Sequence, residues 1–235
     1  PNGQIFRTKM KSNPPDSDNN ASKYTPDSAK PGWLHALPAR LGQQIEFLIA
    51  IDALKSINRA SRLVSGERFE NSAEHSWHLT LFARILAEHA NDPVDVERVV
   101  FMLMVHDIVE IDAGDVPLHA AQNPNTHLLE QAAADRLFGL LPEDQGTLLR
   151  QCWEEFEAGD SIDARFAKAV DRLQPILLNA FNNGGSWPDF NVTLQQVQTR
   201  CASVSKGSDT LWEMANAIFN EAVQNGWLKT TPPTD

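Results

Sequence analysis

The sequence predicts a single all-α globular domain. Three observations carry that expectation. Apolar residues recur at steps of three and four along most of the chain after Trp33. No stretch sustains a two-residue alternation, so a sheet is not expected. The breaks between periodic stretches fall at Pro, Gly and capping residues. The chain has 235 residues and is 42% hydrophobic, enough to bury one sizeable core.

Residues 1–31 read as a disordered polar tail. Asn13-Pro14-Pro15-Asp16-Ser17-Asp18-Asn19-Asn20 offers almost nothing to bury. The helical domain is assigned to 32–229, and Thr230-Thr231-Pro232-Pro233 onward to a frayed terminus. Residues 39–57 place Ile45, Leu48, Ile49, Ala53 and Leu54 on helical spacing. Asn71-Ser72-Ala73-Glu74 has the form of a capping box opening the next helix, which runs through Leu79, Phe82 and Leu86 to about Ala90. Asp92-Pro93 is expected to open another, with Pro in its first turn, carrying Val96, Val99, Val100 and Leu103. Gly114-Asp115-Val116-Pro117 breaks the pattern. Further helices are expected at about 125–140, 143–157, 161–182, 190–204 and 208–225.

The net charge of −11 opposes nucleic acid polymers and anionic membranes, but leaves room for a small anion in a local cationic pocket. Cys152 and Cys201 stand apart in helix-like stretches and read as core thiols, which fits a reducing cytosol. No apolar run is long enough to span a bilayer. The start, Pro1-Asn2-Gly3-Gln4, has neither Met nor a signal-like apolar run. A cytoplasmic protein is the expectation.

The chemistry is written in polar residues that occupy apolar faces. His75 shares a face with Leu79, Phe82 and Leu86. Val96, Val100 and Leu103 lead on one face into His106, Asp107 and Glu110, and Asp171 adjoins the stripe of Phe166, Val170, Leu173 and Leu177. An unpaired buried carboxylate costs several kcal/mol or takes up a proton. Several converging on one core need a common partner, and a divalent cation supplies it. His plus carboxylate suits a first-row transition ion such as Mn, Co, Fe or Zn, or, less tightly, Mg.

That series resembles the HD superfamily of metal phosphohydrolases. The likeness extends to Ile57-Asn58-Arg59, Glu70-Asn71-Ser72-Ala73-Glu74-His75-Ser76, His106-Asp107-Ile108-Val109-Glu110, Gly114-Asp115-Val116-Pro117 and Lys168-Ala169-Val170-Asp171. These look like the bacterial 5′-deoxynucleotidases and their eukaryotic HD-domain relatives. The resemblance implies an HD-type helical bundle with His75, His106, Asp107 and Asp171 as ligands of one divalent ion. It implies Glu110 as the base for a water on that ion, Asp115 as a second catalytic carboxylate, and Arg59 as the phosphate-binding arginine. Lys168 is a candidate helper in substrate binding. Glu110, one helical turn beyond His106, is expected to point the same way. The implied reaction is hydrolysis of a phosphomonoester, with a nucleoside 5′-monophosphate as the leading substrate, and a homodimer is implied as well.

Two rival readings stand beside it: an HD phosphodiesterase or pyrophosphohydrolase acting on a signalling nucleotide, and a non-catalytic metal-holding sensor domain. Glu74 reads as the capping acid and His78 as a local packing residue, since Glu74-His75-Ser76-Trp77-His78 is not the zinc-protease motif. His35, His89, His119 and His127 stay unassigned, and Asp112 reads as a turn residue. Pro175 is expected to kink its helix. Trp187 is expected to anchor the core or a lid, with base stacking as the alternative. One departure matters. In the bacterial enzymes a bulky aromatic follows the arginine, and here the residue is Ala60. That change relaxes the expected selection against a 2′-hydroxyl.

Overall fold

The computed structural model describes residues 30–116 and 125–230. The tail up to residue 29, Pro117, His119 and residues 231–235 lie outside them. A 3-10 turn at Gly32–Ala36 leads into α1 (Ala39–Ala50), which tightens into a second 3-10 stretch at Ile51–Ser56. The expected helix over 39–57 therefore ends early. A short hairpin then corrects the expectation that there is no sheet: β1 (Asn58–Arg62) pairs antiparallel with β2 (Phe69–Asn71). The pairing partners are Asn58 with Asn71 and Arg62 with Phe69, so four steps on β1 face two on β2. A bulge absorbs the excess and erases the alternation by which a strand is recognised. The Arg62 guanidinium stacks 4.2 Å from the centre of the Phe69 ring across this hairpin.

α2 (Ser72–Leu86) starts at the expected capping box. The Asn71 side chain accepts from the Glu74 N–H, and the Glu74 carboxylate accepts from the Asn71 N–H. α3 (Val96–Val105) starts later than expected. Asp95 caps it by accepting from the Glu97 and Arg98 N–H groups, so Pro93 precedes the helix rather than opening it. α3 also stops at Val105. Residues 106–109 form tight turns, with the Ile108 N–H on the Val105 carbonyl and the Glu110 N–H on the Asp107 carbonyl, before α4 (Glu110–Ala113). His106 and Glu110 thus do not share one α-helical turn, contrary to the sequence reading.

The later helices fall near their expected places: α5 (Thr126–Phe138), α6 (Glu143–Ala158) and α7 (Ile162–Phe181), the last running on through Pro175. A short α8 (Ser186–Asp189) precedes the stretch 190–204, where the single expected helix is two pieces, α9 (Leu194–Cys201) and α10 (Val204–Gly207), followed by α11 (Asp209–Gln224). Thr193 and Gln196 form a capping box that starts α9 afresh.

α7 is the spine. It packs against α2, α3, α6, α9, α10 and α11. Its Phe166, Val170 and Leu173 are fully buried together with Leu79, Met102, Leu103, Trp153 and Phe219. Cys152 and Cys201 are free and buried, as core thiols should be. On the outer side of α2, Trp77, Leu81 and Ile85 stay exposed. No helix among the described residues is long and apolar enough to cross a membrane.

α10 packs directly on the spine, and Gly207 lets the two backbones come close. A Cβ at 207 would stand 2.5 Å from the Arg165 carbonyl oxygen and 2.8 Å from the Ala169 side chain. We therefore predict that Gly207→Ala destabilises the fold by about 2 kcal/mol, the usual cost of overpacking. Denaturant unfolding measures this, and an unchanged midpoint would show that α10 can move away from α7 freely.

Candidate metal centre and active site

Four elements deliver the site. α2 contributes His75 from its first turn, the α3–α4 turn contributes His106 and Asp107, α7 contributes Asp171, and the β1 bulge contributes Arg59. All five are buried or nearly so, and His75 is fully enclosed. His75 Nε2 lies 3.0 Å from Asp171 Oδ1, and His106 Nε2 lies 3.7 Å from that same oxygen. Asp107 Oδ1 is 3.0 Å from His106 Nε2, and its Oδ2 is 3.9 Å from His75 Nε2. One donor atom each from His75, His106 and Asp171 lies within 4.8 Å of the others. Asp107 joins them through its contacts with both imidazoles.

These separations suit a shared cation. Ligands held by bonds of about 2.0–2.2 Å stand roughly 3 Å or a little more apart. The hydrogen bonding agrees. His106 Nδ1 bonds the Leu103 carbonyl oxygen at 2.9 Å, while its buried Nε2 has no hydrogen-bond partner among the described residues. Asp107 Oδ1 is near that nitrogen but off the line an N–H would take. An orphaned imidazole nitrogen between two aspartates fits a metal ligand. The local field also favours a cation. Burial opposes protonation of His106, yet Asp107 and Asp171 outweigh it and push its pKa up to about 10. Burial opposes ionisation of Asp107, yet His106 and Arg59 pull it down to about 2. Asp171 is held well below the ordinary carboxylate range, against its burial, by Arg172, His106 and His75.

Two more carboxylates complete the acidic ring. Glu110 accepts from the Ser72 hydroxyl at 2.5 Å, and Gly114 (φ 78°) turns the chain so that Asp115 enters the same cavity. Burial, then the charges of Asp107 and Asp115, push Glu110 well above the ordinary carboxylate range. Burial likewise raises Asp115, against the pull of Arg59. Arg59 bridges the ring. Its Nη1 donates to Asp107 Oδ2 at 2.8 Å and lies 3.7 Å from Glu110 Oε1 and from Asp115 Oδ1. Burial works against its charge, but Asp107, Asp115, Glu110 and Asp171 hold the guanidinium above its ordinary pKa. Its Nε is buried with no hydrogen-bond partner among the described residues.

The site opens into a cavity of about 900 Å³ whose wall includes Arg59, Ala60, Asp115, Lys168 and Trp187. All eight residues singled out from the sequence are thus brought together. Lys168 is the outermost, with Nζ 4.7 Å above the Phe156 ring and 3.9 Å from Glu157. Trp187 is an anchor, buried with its ring edge-on to Phe219. Glu74 caps α2 and pairs with Arg68, and Asp112 pairs with Arg136. His127, unassigned from the sequence, also lines the cavity.

Three buried residues were missed as functional candidates: Ser72, Glu70 and Gln174. Gln174 Oε1 is 3.1 Å from His75 Nδ1, and Gln174 Nε2 donates to Glu70 Oε1 at 2.7 Å. The signal for Gln174 was a polar residue one turn after Asp171 on the apolar side of α7.

A helical domain that gathers two histidines and two aspartates on one buried point belongs to the class of helical metal-site domains. Its family is the HD domain: residues 51–212 match that family's model, and the chain belongs to it. The human 5′-deoxynucleotidase HDDC2 is 29% identical over 135 residues, 57% of this chain and 65% of that protein. The chain therefore spans just under two thirds of that relative's length. The 5′-deoxynucleotidase YfbR of Shigella flexneri is 28% identical over 140 residues, 56% of this chain and 69% of that protein. The solved structure of a predicted metal-dependent phosphohydrolase from Magnetospirillum magnetotacticum is 45% identical, with a TM-score of 0.78 over 81% of this chain and 96% of that one. A conserved hypothetical protein from Pyrococcus furiosus, 20% identical with a TM-score of 0.56 over 75% of this chain and 99% of that one, shares the fold.

We predict that His106→Ala and Asp107→Ala each abolish tight binding of a divalent ion. Elemental analysis of the purified variants checks this, and a full equivalent retained in both would move the metal elsewhere.

Proposed function

We propose that the chain is a metal-dependent phosphohydrolase that cleaves a phosphomonoester, with a nucleoside 5′-monophosphate as substrate. One observation carries the reading: a buried arginine stands between the His/Asp cluster and two further carboxylates, with its Nε unpartnered, on the wall of an open cavity. A purely structural metal site has no use for Arg59, Glu110 and Asp115.

His75, His106, Asp107 and Asp171 would hold the divalent ion, which would supply Lewis acidity toward the attacking water and the phosphoryl oxygens. Arg59 receives the phosphoryl group through its free donors, while its bond to Asp107 fixes the plane of the fork. Ser72 holds one oxygen of Glu110, leaving the other to take a proton from the water as its oxygen bonds to phosphorus. The raised pKa of Glu110 makes it a stronger base than an exposed glutamate. The ester P–O bond breaks, and Asp115, whose pKa burial also raises, gives its proton to the leaving oxygen. The products are inorganic phosphate and the nucleoside alcohol. Charge stabilisation of the phosphoryl oxygens carries most of the acceleration.

The nucleotide assignment draws on the relatives named as 5′-deoxynucleotidases. Strict deoxy selection is not carried over. Ala60 lines the cavity where a large side chain would press on the sugar, and Trp77 is 65% exposed, so it does not fill that space.

Phosphate release from a nucleotide panel with Mn²⁺, Co²⁺ or Mg²⁺ tests the proposal, and no release from any member would reject it. Within that assay, Arg59→Ala should raise KM and the inhibition constant for free phosphate by about tenfold or more, the loss of one charge-assisted contact, with metal content unchanged. Unchanged constants would place the phosphate elsewhere.

Ribo- and 2′-deoxyribonucleoside monophosphates should be turned over within about tenfold of each other, since one lost steric contact is worth roughly 1.4 kcal/mol. Ala60→Trp should shift the ratio toward the deoxy substrate and leave the metal in place. Comparing kcat/KM for dAMP and AMP decides it, and strong deoxy selection by the unmodified chain would show that another residue guards the 2′ position.

A further inference from the structure

His75 is enclosed on every side, and one helix addresses both of its nitrogens. Asp171 Oδ1 lies 3.0 Å from Nε2, and Gln174 Oε1 lies 3.1 Å from Nδ1. Asp171 and Gln174 are three residues apart on α7, so they project from one face. A glutamine amide can present either its oxygen or its NH₂ to an imidazole, with opposite results. Here a second buried residue makes the choice. Glu70 Oε1 accepts from Gln174 Nε2 at 2.7 Å, and His78 Nδ1 lies 3.3 Å from that same nitrogen. Reversing the amide would set its carbonyl oxygen against the Glu70 carboxylate. The amide oxygen must therefore face His75, which must carry its proton on Nδ1 and turn the bare Nε2 toward Asp171, Asp107 and His106.

We infer that Glu70 and Gln174 are a positioning pair that locks His75 in the tautomer able to bind the metal. The inference rests on the reading of His75 as a ligand. His106 reaches the same state by a different route, since its Nδ1 faces the Leu103 carbonyl oxygen at 2.9 Å. One imidazole is thus set by the main chain, which substitution cannot remove, and the other by two side chains, which it can. The pair is also a costly thing to keep in a core. Glu70 and Gln174 are 2% and 0% exposed, and Glu70 Oε2 makes no hydrogen bond among the described residues but lies 3.5 Å from His75 Nδ1, so both members of the pair face that nitrogen. Packing alone would favour apolar residues in both places.

The test uses Co²⁺ affinity by titration calorimetry, with melting temperatures of the metal-free proteins measured alongside. Gln174→Met keeps the volume and removes the acceptor, and it should weaken Co²⁺ binding by about 10- to 100-fold, as loss of an outer partner of a ligating histidine does. Gln174→Glu opposes two carboxylates and should weaken binding similarly. Glu70→Gln with Gln174→Glu reverses the roles: the new carboxylate accepts from both His75 and the new amide. The double variant should recover affinity to within about threefold of the unmodified chain, since the outer partner is restored. A volume-filling role gives no such recovery. In the Zn²⁺-loaded, ¹⁵N-histidine-labelled protein, His75 should show a protonated Nδ1 and a metal-bound Nε2. Binding by Gln174→Met equal to that of the unmodified chain would overturn the inference. So would a double variant no better than Gln174→Glu, or a His75 bound through Nδ1. The unmodified chain and His75→Ala separate the two levels. If the unmodified chain binds Co²⁺ and His75→Ala does not, a failure above belongs to the pair alone. If the unmodified chain does not bind Co²⁺, or His75→Ala binds it as tightly, the metal reading falls with the inference.

Discussion

Four carboxylates border one cavity, largely withdrawn from solvent: Asp107, Asp171, Glu110 and Asp115. Removed from water, such a group is not stable without compensation. Arg59 supplies one fixed positive charge, and the imidazoles of His75 and His106 point their Nε2 atoms at the aspartates. The deficit sorts the acids into two kinds. Asp107 and Asp171, beside the histidines, are held below the ordinary carboxylate range, whereas burial and the neighbouring acids raise Glu110 and Asp115 above it. Under the proposed phosphohydrolase reaction, acids of unequal strength a few ångströms apart are what proton transfer requires.

The fold meets this constraint by breaking its own regularity near the site. An uninterrupted α3 would carry His106, Asp107 and Glu110 around one cylinder. The tight turns at 106–109 instead let adjacent residues, His106 and Asp107, both reach inward. The bulge of β1 does the same for Arg59. The rigid partner is α7, which touches most of the other helices and offers Asp171 and Gln174 from one face. Irregular segments place Arg59, His106 and Asp107, and a regular one fixes Asp171 and Gln174.

The sequence made some of this legible and hid the rest for physical reasons. The capping box at Asn71 and Glu74 is a local pattern with local consequences, and it forms as read. His75, His106, Asp107 and Asp171 stood out because each interrupts an apolar face, and the structure brings them within contact of one another. Arg59 carried no such signal. It lies on a strand whose bulge destroys alternation, paired with a partner of only three residues, so resemblance alone pointed to it. The late start of α3 was hidden because Asp92 and Asp95 both offer a cap, and only packing decides between them. Glu70 and Ser72 become meaningful when α2 and the hairpin meet α4 and α7, a juxtaposition that spacing along the chain does not encode.

The bulge in β1 has an evolutionary corollary. In a regular strand neighbouring side chains face opposite ways, so a pocket wall is spelled by every second residue. Here Arg59, Ala60 and Ser61, consecutive in the chain, all border the same cavity. The residue proposed to meet the phosphate and the one proposed to meet the sugar are therefore encoded by adjacent codons. A three-residue cassette could be exchanged between members of the family as a unit, changing what the cavity accepts while the His/Asp cluster, set on α2, α7 and the α3–α4 turn, stays untouched.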